Sequence, residues 1–123
     1  MHSIAMLGAG MMGNVHARAY WAIDQRNPLW IVDPIESRAK AISEKYGANV
    51  ASFEEILENS EIDIVDICTP TFTHRELAVR ALKAGKHVFC EKPVALTLED
   101  ARAIDRAAEN SWWATSYASF RSI

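Results

Sequence analysis

Residues 4–20 read IAMLGAGMMGNVHARAY. An apolar run leads into three glycines, and a longer amphipathic run follows. The spacing predicts a strand over Ser3–Leu7, a tight turn, and a helix from Met11 to Asp24. Gly8, Gly10 and Gly13 spell G-x-G-x-x-G. In such a turn the first glycine permits a sharp exit from the strand. The second lets the backbone approach a pyrophosphate, and the third lets the helix pack close to the strand. The N–H groups near Met11 and Met12, with the positive end of the helix dipole, then face the phosphates. Three glycines can also serve a turn and nothing else, so the context decides. Asp33 closes the next apolar strand, 20 residues after Gly13. A carboxylate there accepts hydrogen bonds from the adenosine ribose and repels a 2′-phosphate. The expected ligand is a dinucleotide, NAD in preference to NADP. Arg38, five residues on, would soften that preference.

The same alternation continues outward. Strand two is LWIVD, residues 29–33, and Pro34 suits the first turn of a helix, where its missing N–H does no harm. Ile35, Ala39, Ile42 and Tyr46 form that helix's apolar stripe, and Gly47 stops it. In the first helix Val15, Ala19, Ala22 and Ile23 recur at helical spacing and predict its buried face. A short strand over Asn49–Ala51 precedes a capping box, Ser52 with Glu55. IDIVDIC, residues 62–68, is strand four. Thr73 with Glu76 reads as a second capping box, followed by Leu77, Ala78, Ala81 and Leu82 on one face and Gly85 at the end. KHVFC, residues 86–90, is strand five, and Thr97 with Asp100 opens a helix to Glu109. WWATSYASF, residues 112–120, reads as one sixth strand. Short apolar strands alternating with amphipathic helices imply an α/β, doubly wound parallel sheet with helices on both faces. With an early glycine turn the expected strand order is 3-2-1-4-5-6, the Rossmann arrangement.

A chain of 123 residues, half of them hydrophobic and 24% charged, has room for one domain with its own core. The net charge of −3 and scattered Lys and Arg favour neither nucleic acid nor an anionic membrane surface. No apolar run approaches the ~20 residues of a membrane helix. The glycine turn begins too early for a signal peptide to precede it, so a cytoplasmic location is expected. Cys68 and Cys90 end two predicted strands and read as buried thiols. His16 reads as a packing or hydrogen-bonding residue, and neither it, His2 nor His87 has a plausible metal partner at i+4. No metal site is expected.

GKHVFCEKPVALT at 85–97, CTPTFTH at 68–74 and GAGMMGNVH at 8–16 together resemble the N-terminal domain of the glucose-fructose oxidoreductase / inositol dehydrogenase / MocA family. The resemblance runs from Ser3 to about Glu109. It implies that Gly8, Gly10 and Gly13 hold the pyrophosphate and Asp33 the adenosine ribose. Thr69 and Pro70 would form the loop beside the cofactor, with His74 opening the next helix. Glu91, Lys92 and Pro93 match the family's Glu-Lys-Pro motif, whose lysine contacts the nicotinamide ribose and the reacting part of the substrate. Lys92 is thus the expected catalytic residue. A cation at the end of a central strand can polarise a carbonyl or bind a hydroxyl during hydride transfer.

The family also implies a second, larger domain that supplies most substrate contacts, including an Asp and a His on one helix. The 123 residues contain no Asp-x-x-x-His pair. The expectation is therefore one NAD(P)-binding domain over 1–123 that binds cofactor without turnover. A polyol-like substrate would engage only if a second domain is supplied. Other readings are a non-catalytic nucleotide-binding module, an oligomeric remnant without ligand, and a methyltransferase, which explains neither the glycine spacing nor Glu91-Lys92-Pro93. Trp112, Trp113, Tyr117 and Phe120 crowd the last segment. Alternation puts Trp113 and Tyr117 on one side and Phe120 on the other, on an edge strand. Self-association through residues 110–123 is expected.

Overall fold

The computed structural model describes residues 2–115 and 118–121. Its strands are β1 (Ile4–Leu7), β2 (Leu29–Val32), β3 (Asn49–Val50), β4 (Ile64–Ile67), β5 (His87–Cys90), β6 (Trp112–Thr115) and β7 (Ala118–Arg121). The helices are α1 (Met11–Ile23), α2 (Glu36–Tyr46), α3 (Phe53–Glu58), α4 (His74–Lys83) and α5 (Leu98–Ala107), with one 3-10 turn at Thr71–Thr73. The sheet order is β3-β2-β1-β4-β5-β6-β7. The first six strands are parallel, in the expected 3-2-1-4-5-6 order, and β7 runs antiparallel to β6. The order reverses between β1 and β4, which opens a crevice beyond their carboxyl ends.

Alternation along each strand divides the core into two layers. Met6, Leu29 and Ile31 pack with Ala17 of α1 and Ala39 and Ile42 of α2. Ala5, Leu7, Val65, Ile67 and Val88 meet Ile56, Ala78, Leu82 and Ile104 on the other face. Both faces are covered, so the strands read as continuous apolar runs. Asp66 is the exception. It stands in register with Met6 and Phe89, fully buried, on the α1 face of the sheet. Among the described residues, no helix is long and apolar enough to cross a membrane.

Three local expectations are corrected. The apolar stripe of α1 faces outward: Val15 is 53% and Ile23 77% exposed, and Ala19 and Ala22 are exposed too. The inward face is Gly13, Ala17 and the half-buried His16 and Tyr20. Small residues let α1 lie close to the sheet, and two polar side chains reach the polar atoms beneath it. Thr73 does not cap α4 with its side chain. The 3-10 turn carries the chain into the helix instead, and the Thr73 hydroxyl donates to Pro70 O at 2.6 Å. The caps at Ser52 with Glu55 and Thr97 with Asp100 form as expected.

The last segment is a hairpin, not one strand. Thr115 pairs with Ala118, and Trp113 with Phe120. A two-residue connection is the commonest way to join antiparallel strands. It makes β7 the outer strand, so β6 is not an edge. Trp113 is buried, 6% exposed, and its indole N–H donates to Asp105 at 3.2 Å. The expected orientation of Tyr117 falls outside the described residues.

The glycine turn is held by backbone crowding. Gly8 has φ +101°, and a Cβ there would lie 2.9 Å from the Cys68 carbonyl. A Cβ at Gly13 would lie 2.1 Å from Gly8 O, well inside van der Waals contact. Neither obstacle is a side chain that could swing away. Gly13→Ala should therefore force α1 off β1 and lower the unfolding free energy by about 3 kcal/mol or more. Denaturant titration of the variant checks this, and an unchanged midpoint would show that the helix has room to move.

Candidate functional site

The crevice at the strand-order reversal is a cleft of about 780 Å³, lined by Gly8, Gly10, Met11, Met12, Asp33, Thr69 and Pro70 among others. These are seven of the residues the sequence singles out. At Gly10 a Cβ would meet nothing within 4 Å, so open space lies directly over the backbone. No side chain caps the N-terminus of α1 at Gly10, and Met11 and Met12 are exposed in its first turn. The helix's positive end thus faces the cleft, as an anion site requires. Asp33 holds the far wall. One carboxylate oxygen accepts the Ala9 N–H and the other the Ile35 N–H, both at 2.8 Å. The same acid that can meet a ribose therefore also pins the glycine turn to the start of α2. Ile35, Arg38, Phe72, Glu76 and Leu77 are also in the lining. These features fit a dinucleotide with its pyrophosphate at Gly10.

The other predicted residues, Gly13, His74, Glu91, Lys92 and Pro93, are not among those that line the cleft. Gly13 sits behind it, against Gly8. His74 is buried, and its ring lies between Val94 O at 3.0 Å and Thr69 O at 2.8 Å. It ties the Thr69–Pro70 loop to the segment after Pro93 and presents no open ring edge to the cleft. Glu91, Lys92 and Pro93 follow β5, next to the end of β4, where the Glu91 N–H donates to Ile67 O at 2.9 Å. Lys92 is exposed, and its backbone N–H donates to a Glu91 carboxylate oxygen at 3.0 Å.

Beneath this motif lies a buried polar network. His16 Nδ1 is 2.7 Å from Asp66 and its Nε2 is 2.9 Å from Glu91. The Tyr20 hydroxyl also donates to Asp66, and the Cys68 thiol lies 3.5 Å from the other Asp66 oxygen. The sequence signal for it was present: an acid in the middle of the apolar run IVDIC, with His16 and Tyr20 one turn apart on α1. A buried carboxylate must find donors. The atoms of His16, Asp66 and Cys68 converge within 4.8 Å of one another. The hydrogen bonds account for that convergence, and we assign no metal to it. Burial, reinforced by the Asp66 charge, pushes the Tyr20 phenol and the Cys68 thiol far above their ordinary values. Burial first, then the same charge, pushes the Cys90 thiol up to about 12. None of the three ionises near neutral pH.

For His16, a base, the same upward direction favours the charged form. Its hydrogen bond to Asp66 raises its pKa, partly opposed by burial, and the Asp66 charge and the Glu91 contact add to the rise. A histidine bound more tightly to its proton in the folded state stabilises the fold fully below its unfolded pKa of about 6.5. That stability is lost as pH rises through the higher folded value. The unfolding free energy should therefore decline from about pH 6.5 upward, by about 1.4 kcal/mol for each tenfold tightening of the proton. His16→Gln should flatten this decline. Denaturant titrations across pH 6–9 on both proteins check it.

The comparisons with known proteins agree with this geometry. Residues 2–114 match the GFO_IDH_MocA family, described as an oxidoreductase family with an NAD-binding Rossmann fold. The inositol 2-dehydrogenase of Rhizobium meliloti is 42% identical over 98 residues, which are 80% of this chain and 30% of that protein. The myo-inositol 2-dehydrogenase of Thermotoga maritima is 38% identical over 110 residues, 88% of this chain and 32% of the relative. The crystal structure of GenD2 from gentamicin A biosynthesis in complex with NAD superposes with a TM-score of 0.86 at 32% identity, covering 93% of this chain and 34% of that one. The chain thus spans about a third of the length of the relatives it matches. With its glycine turn, strand order and Glu-Lys-Pro segment in place, the chain belongs to the Gfo/Idh/MocA oxidoreductase family, as an NAD-binding Rossmann domain.

Proposed function

We propose that this chain is the cofactor-holding part of a dehydrogenase that moves a hydride between NAD and a hydroxyl-bearing carbon of a sugar, cyclitol or similar polyol-like compound. The observation that carries the reading is the open space over Gly10, walled by Asp33 on one side and Thr69–Pro70 on the other. The bound cofactor supplies the hydride acceptor or donor. Gly8, Gly10 and the first turn of α1 hold its pyrophosphate, and Asp33 its adenosine ribose. Thr69 and Pro70 flank it, with His74 fixing their loop. Lys92 is the catalytic residue, its ammonium polarising the reacting oxygen, with Glu91 and Pro93 shaping the turn that carries it. The substrate class rests on the relatives, which include inositol dehydrogenases.

The 123 residues cover only a third of such relatives, and general acid–base help of ~10²–10⁴-fold comes from groups placed around the substrate. The chain alone is therefore proposed to bind NAD without forming NADH from polyols. The outer strand β7 leaves one row of backbone groups unpaired by the sheet, which supports the proposal that residues 110–123 mediate self-association. Light scattering at high micromolar concentration should show a dimer, and a monomer there would remove this proposal.

Calorimetric titration with both cofactors tests the central reading. The Asp33 charge should make NAD bind at least ~10-fold more tightly than NADP. Asp33→Ala would also release the Ala9 N–H and disturb the turn. Asp33→Asn is the cleaner variant, since it removes the charge and keeps one acceptor oxygen. It should narrow the difference, whereas tighter NADP binding by the unaltered chain would overturn the assignment. Lys92→Ala should leave the unfolding midpoint unchanged, as befits an exposed site residue. A large loss of stability would make the lysine structural.

A further inference from the structure

Lys92 stands on a short turn beyond β5, and something must hold that turn. The chain leading into it is fixed by the Glu91 N–H bond to Ile67 O, and the Lys92 N–H is taken by Glu91 Oε2. The other Glu91 oxygen, Oε1, meets His16 Nε2 at 2.9 Å. A single carboxylate thus faces the Lys92 backbone with one oxygen and α1 with the other. His16 is itself held from behind, Nδ1 against Asp66 at 2.7 Å, with both His16 and Glu91 side chains only 14% exposed. Proton counting sharpens the point. Asp66 accepts from Nδ1–H, so the short contact at Nε2 needs a second proton between the ring and Glu91. Without it, a lone pair would face a carboxylate oxygen.

We propose that His16 is a positioning residue for Lys92: seated on Asp66 and sharing a proton with Glu91, it fixes the turn that carries the lysine. The functional half of this inference rests on the reading of Lys92 as a group that meets the nicotinamide end of the cofactor. His16 lies on the helix whose N-terminus faces the pyrophosphate, so the same residue links the phosphate helix to the lysine turn. The groups facing the ring are Asp66 and Cys68 from β4 and its end, Glu91 from the end of β5, and Tyr20 from α1. Phe89 of β5 meets it edge-on at 5.9 Å. Cys90 belongs to the core on the opposite face of the sheet. The hydrogen bond to Asp66 raises the proton affinity of His16, and the Glu91 contact adds to it.

The test follows the His16 ring and the Lys92 backbone amide of the unaltered chain by NMR from pH 6 to 9. One shared midpoint above about 6.5 is expected. A Lys92 amide that ignores the His16 titration overturns the proposal, whatever the variants do. In Glu91→Gln the shared titration should disappear. In His16→Gln, NAD affinity should fall about fivefold or more while affinity for ADP, which lacks the nicotinamide riboside, stays unchanged. Equal losses for both nucleotides would reduce His16 to a structural residue and overturn the positioning role. Failure of the unaltered chain to bind either nucleotide would overturn the cofactor reading instead. The shared midpoint would then still support control of the Lys92 turn by His16.

Discussion

The contact of Gly13 with Gly8 is the constraint on which the rest depends. It brings the first turn of α1 against the backbone leaving β1, closer than any side chain allows. Once α1 lies there, its N-terminus faces the cleft and its inward side chains stand over β4. Asp33 then bonds to Ala9 and Ile35, so strand two, the glycine turn and α2 are clamped together around one carboxylate. The proposed anion site follows from this packing: the N-terminal end of α1 points into the crevice where the strand order reverses.

The same close approach explains why a fully buried acid is tolerated on β4. An unpaired carboxylate in that position would be strongly destabilising. Asp66 instead receives His16, Tyr20 and Cys68. Only a helix as near as α1 brings His16 and Tyr20 within reach. Replacing such a network by apolar residues can be neutral or even stabilising. Its presence beside the lysine turn is better understood as orientation of Glu91 than as a source of stability.

Much of this was legible in the sequence, for physical reasons that differ along the chain. Strands two, four and five are covered on both faces, so their runs are apolar apart from Asp66 and His87, and the glycine spacing marks the first crossing. The inward face of α1 was not legible from hydrophobicity. Its letters are Gly13, His16, Ala17 and Tyr20, because closeness and polar contact matter there, while Val15 and Ile23 face out. The hairpin of β6 and β7 was not legible because no Gly, Asn or Pro interrupts the run WWATSYASF. Thr73 had the spacing of a cap but spends its hydroxyl on Pro70 O and the neighbouring Thr69. The Asp66 network was visible only as an acid out of place in an apolar run.

The three glycines separate fold from function. Gly8 and Gly13 are demanded by the backbone around them. Gly10 has an ordinary φ of −80° and open space where a side chain would go, so the fold places no demand on it. We propose that the pyrophosphate occupies that space. The most direct measurement is NAD titration of Gly10→Val alongside its unfolding midpoint. The account predicts that NAD binding is lost while the midpoint stays within experimental error of the parent chain; NAD affinity unchanged in a folded variant would contradict it.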